Sequence, residues 1–328
     1  MKLCSKRNIC ITTAILILLG LCTIIPHVVD GYMMMLINVV LMWTIAAYSI
    51  TITLGMCGQL SFCVAAFQGI GAYTAANLCT GRLGPQTTPA VSILMGVAAA
   101  AIVSMLLGLL LFRLRGVYFT FATIGVVQVA TCFFLNNVAL FGGANGIPNI
   151  PYLKLFGNTF KTYYDWFYLL AIVVLIMALF VSKLRNSPLG RAMAAVRDNE
   201  TAAKTLGVNV YATKVTGFAI AGAVAGLAGA LYALHGRFVS SDMFTFQTAT
   251  DTIIMAMLGG INTTLGAFIG SLLVTILPEV FRALEKYLQL FWGIAVILLM
   301  IFMPDGFMGL IKYITKGKEA TVKTEQTR

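Results

Sequence analysis

Long unbroken apolar stretches alternate along the chain with short polar ones. Runs near or above the ~18 residues that carry a helix across a bilayer fall at 9–29, 33–55, 90–112, 117–140, 166–182, 214–235 and 288–303. Two further stretches, 59–79 and 245–278, are apolar but interrupted by glycine and polar residues. The pattern predicts an all-α polytopic membrane protein, one domain over 1–328, with about 8–10 transmembrane helices, some of them broken or re-entrant. The first run follows Lys2, Lys6 and Arg7, as the core of a signal peptide would. It lacks a small-residue cleavage site and a second run follows at once, so it reads as a retained first helix.

The interruptions are specific. "GMCGQLSFCVAAFQGIGAYTAAN", 55–77, sets Gly55, Gly58, Gly69 and Gly71 around Gln59, Ser61 and Gln68. That many glycines make a poor continuous helix, and a broken one is tolerated in a membrane only where protein or a watery cavity satisfies its backbone. "LGGINTTLGAFIGSLL", 258–273, splits the second stretch into two short pieces. Paired interruptions, one in each half, point to a transport pathway. Gly222-xxx-Gly226 and Gly266-xxx-Gly270 read equally as sites of close helix packing. On this reading Gln59, Ser61, Phe67, Gln68, Tyr73 and Asp251 line or gate the route. The Gly-, Pro- and Asn-rich segment 141–165 reads as an extracytoplasmic loop, with Tyr152, Phe156, Tyr163, Tyr164 and Trp166 as an interfacial belt.

The longest polar block, "SPLGRAMAAVRDNETAAKTLGVN", spans 187–209. Ser187-Pro188 is an N-cap followed by proline at the first helical position. Leu189, Ala192, Met193 and Val196 then form one apolar stripe at helical spacing. Asp198-Asn199 stops this helix and caps a second, in which Glu200 pairs with Lys204, Ala203 and Leu206 share a face and Gly207 ends the helix. Too polar and too short to span, the block reads as a solvated loop, as a helix on anionic lipid, or as an element whose stripe docks in a groove of a partner.

Charge orients the chain. Of 328 residues only 10% are charged and 59% are hydrophobic, with a mean hydropathy of +0.92. The net charge of +11 is explained by the positive-inside rule without any nucleic-acid partner. With both termini in the cytoplasm, 16 of the 22 basic residues fall inside and 6 outside. This assigns 183–213 and the tail 312–328 to the cytoplasm. The seven cysteines include no CxxC pair and read as small buried hydrophobes. An enzyme is disfavoured: no GxSxG, HExxH or Walker A loop occurs, and His27 and His235 lie near membrane edges. An ion-coupled secondary transporter would place ionisable groups within its spans, where Asp251 is the one clear candidate; pairing with Arg237 explains it equally well.

"GRAMAAVRDNETAAKTLGVNVYATKVTGFAIAGAVAGLAGALYA", 190–233, closely resembles the branched-chain amino acid permease family of ABC importers. "GQLSFCVAAFQGIGAYTAA", 58–76, is similar to the family's N-terminal signature, and "MLGGINTTLGAFIGSLLVTILPE" and "PDGFMGL" to its C-terminal elements. Their order and spacing, over about 40–310, resemble those of LivM-type transmembrane subunits. The sequence departs from the pattern at Cys63-Val64 and at Asn262-Thr263-Thr264. The resemblance implies an ABC importer permease fold in the bacterial plasma (inner) membrane. It also implies a second permease subunit, two ABC ATPase subunits that carry the Mg-ATP, an extracytoplasmic binding protein, and no cofactor bound by this chain itself. It assigns the central block to coupling helices seated on the ATPase, through Gly190, Arg191, Ala192, Met193, Val196, Arg197, Asp198, Glu200, Leu206 and Gly207.

Overall fold

The architecture is taken from a computed structural model that describes residues 30–82, 86–114, 116–155, 158–280 and 293. The apolar run at 9–29, all of 288–303 but residue 293, His27, Phe156, the "PDGFMGL" element and the tail 312–328 lie outside these residues. Among the described residues five helices are long and apolar enough to cross a membrane, which makes the chain a multi-pass membrane protein. They are α1 (Gly31–Ile50, prolonged by a π-helical stretch Thr51–Met56), α3 (Pro89–Leu111), α4 (Val117–Asn136), α6 (Tyr163–Asn186) and α9 (Val210–Gly236). The run 117–140 is shorter than its apolar content predicts: α4 ends at Asn136, and Asn137 caps a separate turn, α5 (Val138–Phe141).

The two interrupted stretches form the remaining helices. α2 (Val64–Thr80) follows an irregular stretch from Cys57 to Cys63. Only the first half of the predicted break is one. Gly58 has a φ of +68°, whereas Gly69 and Gly71 stay helical and serve as contact points for Phe134 and for the backbone of Gly226. The second stretch is a hairpin of α10 (Phe246–Gly259) and α11 (Thr264–Val280). At 1.5 Å per residue α10 is about 21 Å long, short of the ~30 Å hydrocarbon layer. The hairpin closes backbone to backbone. A Cβ on Gly270 would stand 1.7 Å from the Met255 carbonyl oxygen, and one on Gly259 1.7 Å from that of Gly266.

α9 is the axis of the fold, packed by α1, α2 and α3. Its small residues permit this, since side chains on Gly222 and Gly226 would overlap Ser104 and Ala100 of α3. Packing through small residues is the usual way membrane helices gain contact where lipid offers no hydrophobic drive. α3 and α4 in turn expose Leu94, Ile102, Leu106, Leu110, Phe121 and Val129, as a lipid-facing wall requires.

Segment 141–165 is more than a polar loop. Ile147, Ile150 and Leu153 are fully buried, Ile147 pairs with Val239, and a two-stranded hairpin joins β1 (Lys154–Leu155) to β2 (Asn158–Thr159). Trp166, predicted as an interfacial aromatic, is buried against Phe160 and His235. Arg237 clamps the segment through its Nε, which donates to the Ile150 carbonyl at 3.0 Å, and lies 4.0 Å over the Tyr152 ring. It therefore does not pair with Asp251, whose carboxylate accepts from Gln247 Nε2 at 2.9 Å.

Candidate functional site

The polar block folds into α7 (Pro188–Asp198) and α8 (Glu200–Thr205). Ser187 Oγ accepts from the Gly190 amide at 3.1 Å, and Asn199 Oδ1 accepts from the amides of Thr201 and Ala202, both at 3.0 Å. Each cap satisfies donors that a helix start leaves unpaired. Gly207, at φ +82°, ends α8 in the left-handed region. Gly190 is required by proximity: a Cβ there would lie 2.1 Å from the Leu184 carbonyl oxygen, so α7 turns directly off the end of α6.

The block's apolar stripe is turned inward, which corrects the sequence reading. Met193 is 0% exposed and Val196 2% exposed within this chain alone. Met193 packs where α9 offers Gly217, beside Cys57. Leu189 and Ala192 are half-buried on the same side. The stripe therefore fastens the block to its own transmembrane helices and is not free to enter a partner. Two further details differ. Glu200 pairs with Lys214 of α9 at 2.5 Å, not with Lys204 four residues on in its own helix. Ala203 is buried while Leu206, three residues on, stands 81% exposed, since the helix has already ended when Leu206 is reached. The surface left outward includes Arg191, Arg197, Asp198, Glu200, Thr201, Lys204 and Leu206.

Arg197 joins this block to both interruptions. Its Nη1 donates to the Gly55 carbonyl at 2.7 Å and to Asn262 Oδ1 at 3.1 Å. Its Nε and Nη2 reach Asp198 Oδ1 at 3.0 and 2.9 Å. Gly58 leaves room for the arginine's stem, since a Cβ there would meet Cγ at 2.7 Å. Arg185 of α6 donates to the Asn262 carbonyl as well. The two breaks also touch directly, the Gly55 position abutting the carbonyl of Ile261. Sequence spacing could not show this, because the partners lie 142 and 65 residues from Arg197.

The six residues read as a pathway are dispersed. Gln59 lies on a groove of about 800 Å³ between the α3–α4 turn and α8, with Glu200, Lys204 and Tyr211. Ser61 is buried and its Oγ accepts from the Cys63 amide at 3.2 Å. Phe67 packs edge-on against Phe218 at 5.3 Å, and Tyr73 sits among Phe134, Phe141 and Phe244; both are core aromatics. Asp251 is half-buried on α10. Of the six, Gln68 lines a partly open cavity of about 200 Å³, with Met42, Trp43, Tyr232, Met243 and Thr248 among its neighbours. These neighbours went unread because they come from α1, α9 and α10, which only the fold brings together. Among the described residues no cluster of three or more His, Cys, Asp or Glu side chains could hold a metal ion.

Comparison with known proteins gives this arrangement a family. Residues 10–304 match the family model described as branched-chain amino acid transport system / permease component. The chain is 32% identical to the high-affinity branched-chain amino acid transport system permease protein LivM of Escherichia coli K12, over 92% of this chain and 76% of that protein. The LivM protein of Salmonella typhimurium is 31% identical over the same shares. A nucleoside ABC transporter permease protein of Lactococcus lactis, NupC, is 32% identical over 62% of this chain and 67% of its own length. No solved structure matches. The chain belongs to the family of branched-chain amino acid transport system permease components.

Proposed function

We propose that this chain is one transmembrane subunit of an ATP-driven importer of branched-chain amino acids, working with a second permease subunit, two ATPase subunits and an extracytoplasmic binding protein. The observation that carries the reading is the α7–α8 block, a capped pair of helices braced against both interrupted segments through Arg197. A solvated loop needs no such bracing, whereas a block that transmits force from a motor must be rigidly joined to what it moves. The relatives named for branched-chain amino acid transport support the cargo.

On this reading 183–213 faces the cytoplasm, 141–165 faces outward, both termini are cytoplasmic, and Mg-ATP binds the partner subunits. Docking falls to the outward surface, with Leu206 as its apolar contact and Arg191, Asp198, Glu200 and Lys204 around it. Gly190, Met193, Val196 and Arg197 serve from behind, by holding that surface to the transmembrane helices. Burial of a leucine at such an interface is worth roughly 1.5–3 kcal/mol, against about 0–1 kcal/mol for an exposed ion pair.

The test is purification in mild detergent followed by reconstitution with loaded binding protein. A second hydrophobic subunit and two ATPase copies should co-purify, and leucine, isoleucine and valine uptake should require ATP. ATP-independent uptake by this chain alone would overturn the reading.

A further inference from the structure

The groove between α8 and the α3–α4 turn has two unlike walls. It encloses about 800 Å³, within the ~300–1,000 Å³ of small-molecule sites. α8 packs chiefly on α7 and α9, which leaves this space between it and Phe112, Leu114 and Gly116 of the turn. One wall is polar and cationic. Lys204 and Lys214 both line it, and Arg113 stands exposed on the neighbouring turn. The Lys214 side chain is 12% exposed and is neutralised by Glu200 at 2.5 Å. Lys204 pairs with no carboxylate among the described residues. α9 begins in the same groove, at 209–211, and the start of a helix adds partial positive charge. Gln59, Thr201 and Asn209 complete this wall with hydrogen-bonding side chains.

The other wall is apolar and borders lipid. Phe112 and Leu114 line it, and Leu110, Val117, Tyr118 and Phe121, on either side of the turn, are exposed large apolar side chains. Tyr211 stands at the seam, its hydroxyl donating to the Leu109 carbonyl at 2.6 Å, the place a tyrosine takes at a membrane–water boundary. We propose that this groove binds the headgroup of an anionic phospholipid drawn from the surrounding bilayer. The phosphodiester lies by the Lys204 ammonium and the start of α9. The headgroup hydroxyls bond to the Glu200 carboxylate and to the side chains of Gln59 and Asn209, and the acyl chains follow the apolar wall of α3 and α4. A free phosphate has no use for that wall, and a headgroup ammonium would enter a site whose unpaired charge is already positive. Basic pockets between membrane helices hold anionic headgroups by the same balance. The inference goes beyond the importer reading, because it needs the membrane placement of these helices and no transport.

The full chain, purified in mild detergent, is offered phosphatidylglycerol, phosphatidylethanolamine and phosphatidylcholine with identical acyl chains, and retained lipid is read by native mass spectrometry. Phosphatidylglycerol should be retained about tenfold over either zwitterionic lipid. Lys204→Glu should lower that retention about tenfold. Lys183→Glu, the same charge change on an exposed residue outside the groove, should leave it as in the wild type. Equal retention of the three lipids, a preference for phosphatidylethanolamine, or equal behaviour of the two variants would overturn the proposal. A photoreactive phosphatidylglycerol should crosslink to 112–116 or 200–214, and crosslinks confined to other segments would count against the groove. Displacement of the lipid by millimolar inorganic phosphate would make this a soluble-anion site. Its release on binding of ATPase subunits would make the groove a protein seat, and either result refutes the lipid assignment. Absence of ATP-driven uptake would remove the importer reading and leave the lipid measurement untouched.

Discussion

Residue burial separates two roles inside the α7–α8 block. Met193 is enclosed against α9, so Met193→Ala removes packing from this chain's own core and is expected to cost about 2–5 kcal/mol. The measurement is a lowered unfolding midpoint of the purified chain in detergent. Leu206 stands in the open, and Leu206→Ala is expected to leave that midpoint unchanged while weakening ATPase co-purification. If Leu206→Ala lowers the midpoint as much as Met193→Ala does, the division of roles fails. Arg197 occupies a third position, since its guanidinium, though partly open to solvent, joins the block to two other segments. Arg197→Ala deletes charge-assisted bonds worth about 1.5–3 kcal/mol, so stimulation of ATP hydrolysis by loaded binding protein should fall about tenfold while the subunits still assemble. Arg197→Lys should not restore it, because a lysine presents one point charge where the arginine's fork reaches two loops and a carboxylate.

At the scale of elements, caps and helix ends were legible in the sequence, whereas the facing of the helices was not. Ser187-Pro188, Asn199 and Gly207 act as local chemistry dictates, because their partners lie within a few residues. The apolar stripe was found correctly and aimed wrongly. Periodicity shows that Met193 and Val196 share a face, but only the position of α9 shows which body they meet. Glycines carried the same ambiguity. Gly55 and Gly58 flank a break, yet Gly69, Gly71, Gly222 and Gly226 mark helix contacts, and both uses look alike in sequence. The α10–α11 hairpin resolves one case testably. Gly270→Val would drive a side chain into the Met255 carbonyl, so it should abolish a folded hairpin. The assay is cysteine crosslinking between the two helices, with Gly125→Val, a site open on all sides, as the control that should crosslink normally.

For the whole molecule, hydropathy sufficed for membrane class and for the five spans among the described residues, since lipid imposes a simple rule on every residue it touches. The interior follows no such rule. Trp43, Gln68, Tyr232 and Thr248 converge from four helices, and nothing local to any one of them announces the others. Orientation remains the boldest statement the charges make. Single cysteines placed at Thr201 and at Asn149, in a chain freed of its seven native cysteines, should be labelled by an impermeant maleimide from the cytoplasmic and the outer side respectively. Labelling of Thr201→Cys from outside would invert the whole assignment, the docking surface included.

The partners of Arg197 carry a consequence for the environments in which such a machine works. Two of the three are uncharged oxygens of a backbone carbonyl and a side-chain amide, and dissolved ions screen a guanidinium–dipole contact at bonding distance far less than they screen separated surface charges. The outward surface, with Arg191, Asp198, Glu200 and Lys204, is of the screened kind. Rising salinity is therefore expected to loosen the grip of the motor on the membrane subunit while leaving each completed stroke as productive as before. In osmotic upshift the importer would slow without slipping, with the ratio of solute moved to ATP consumed held constant as the rate declines.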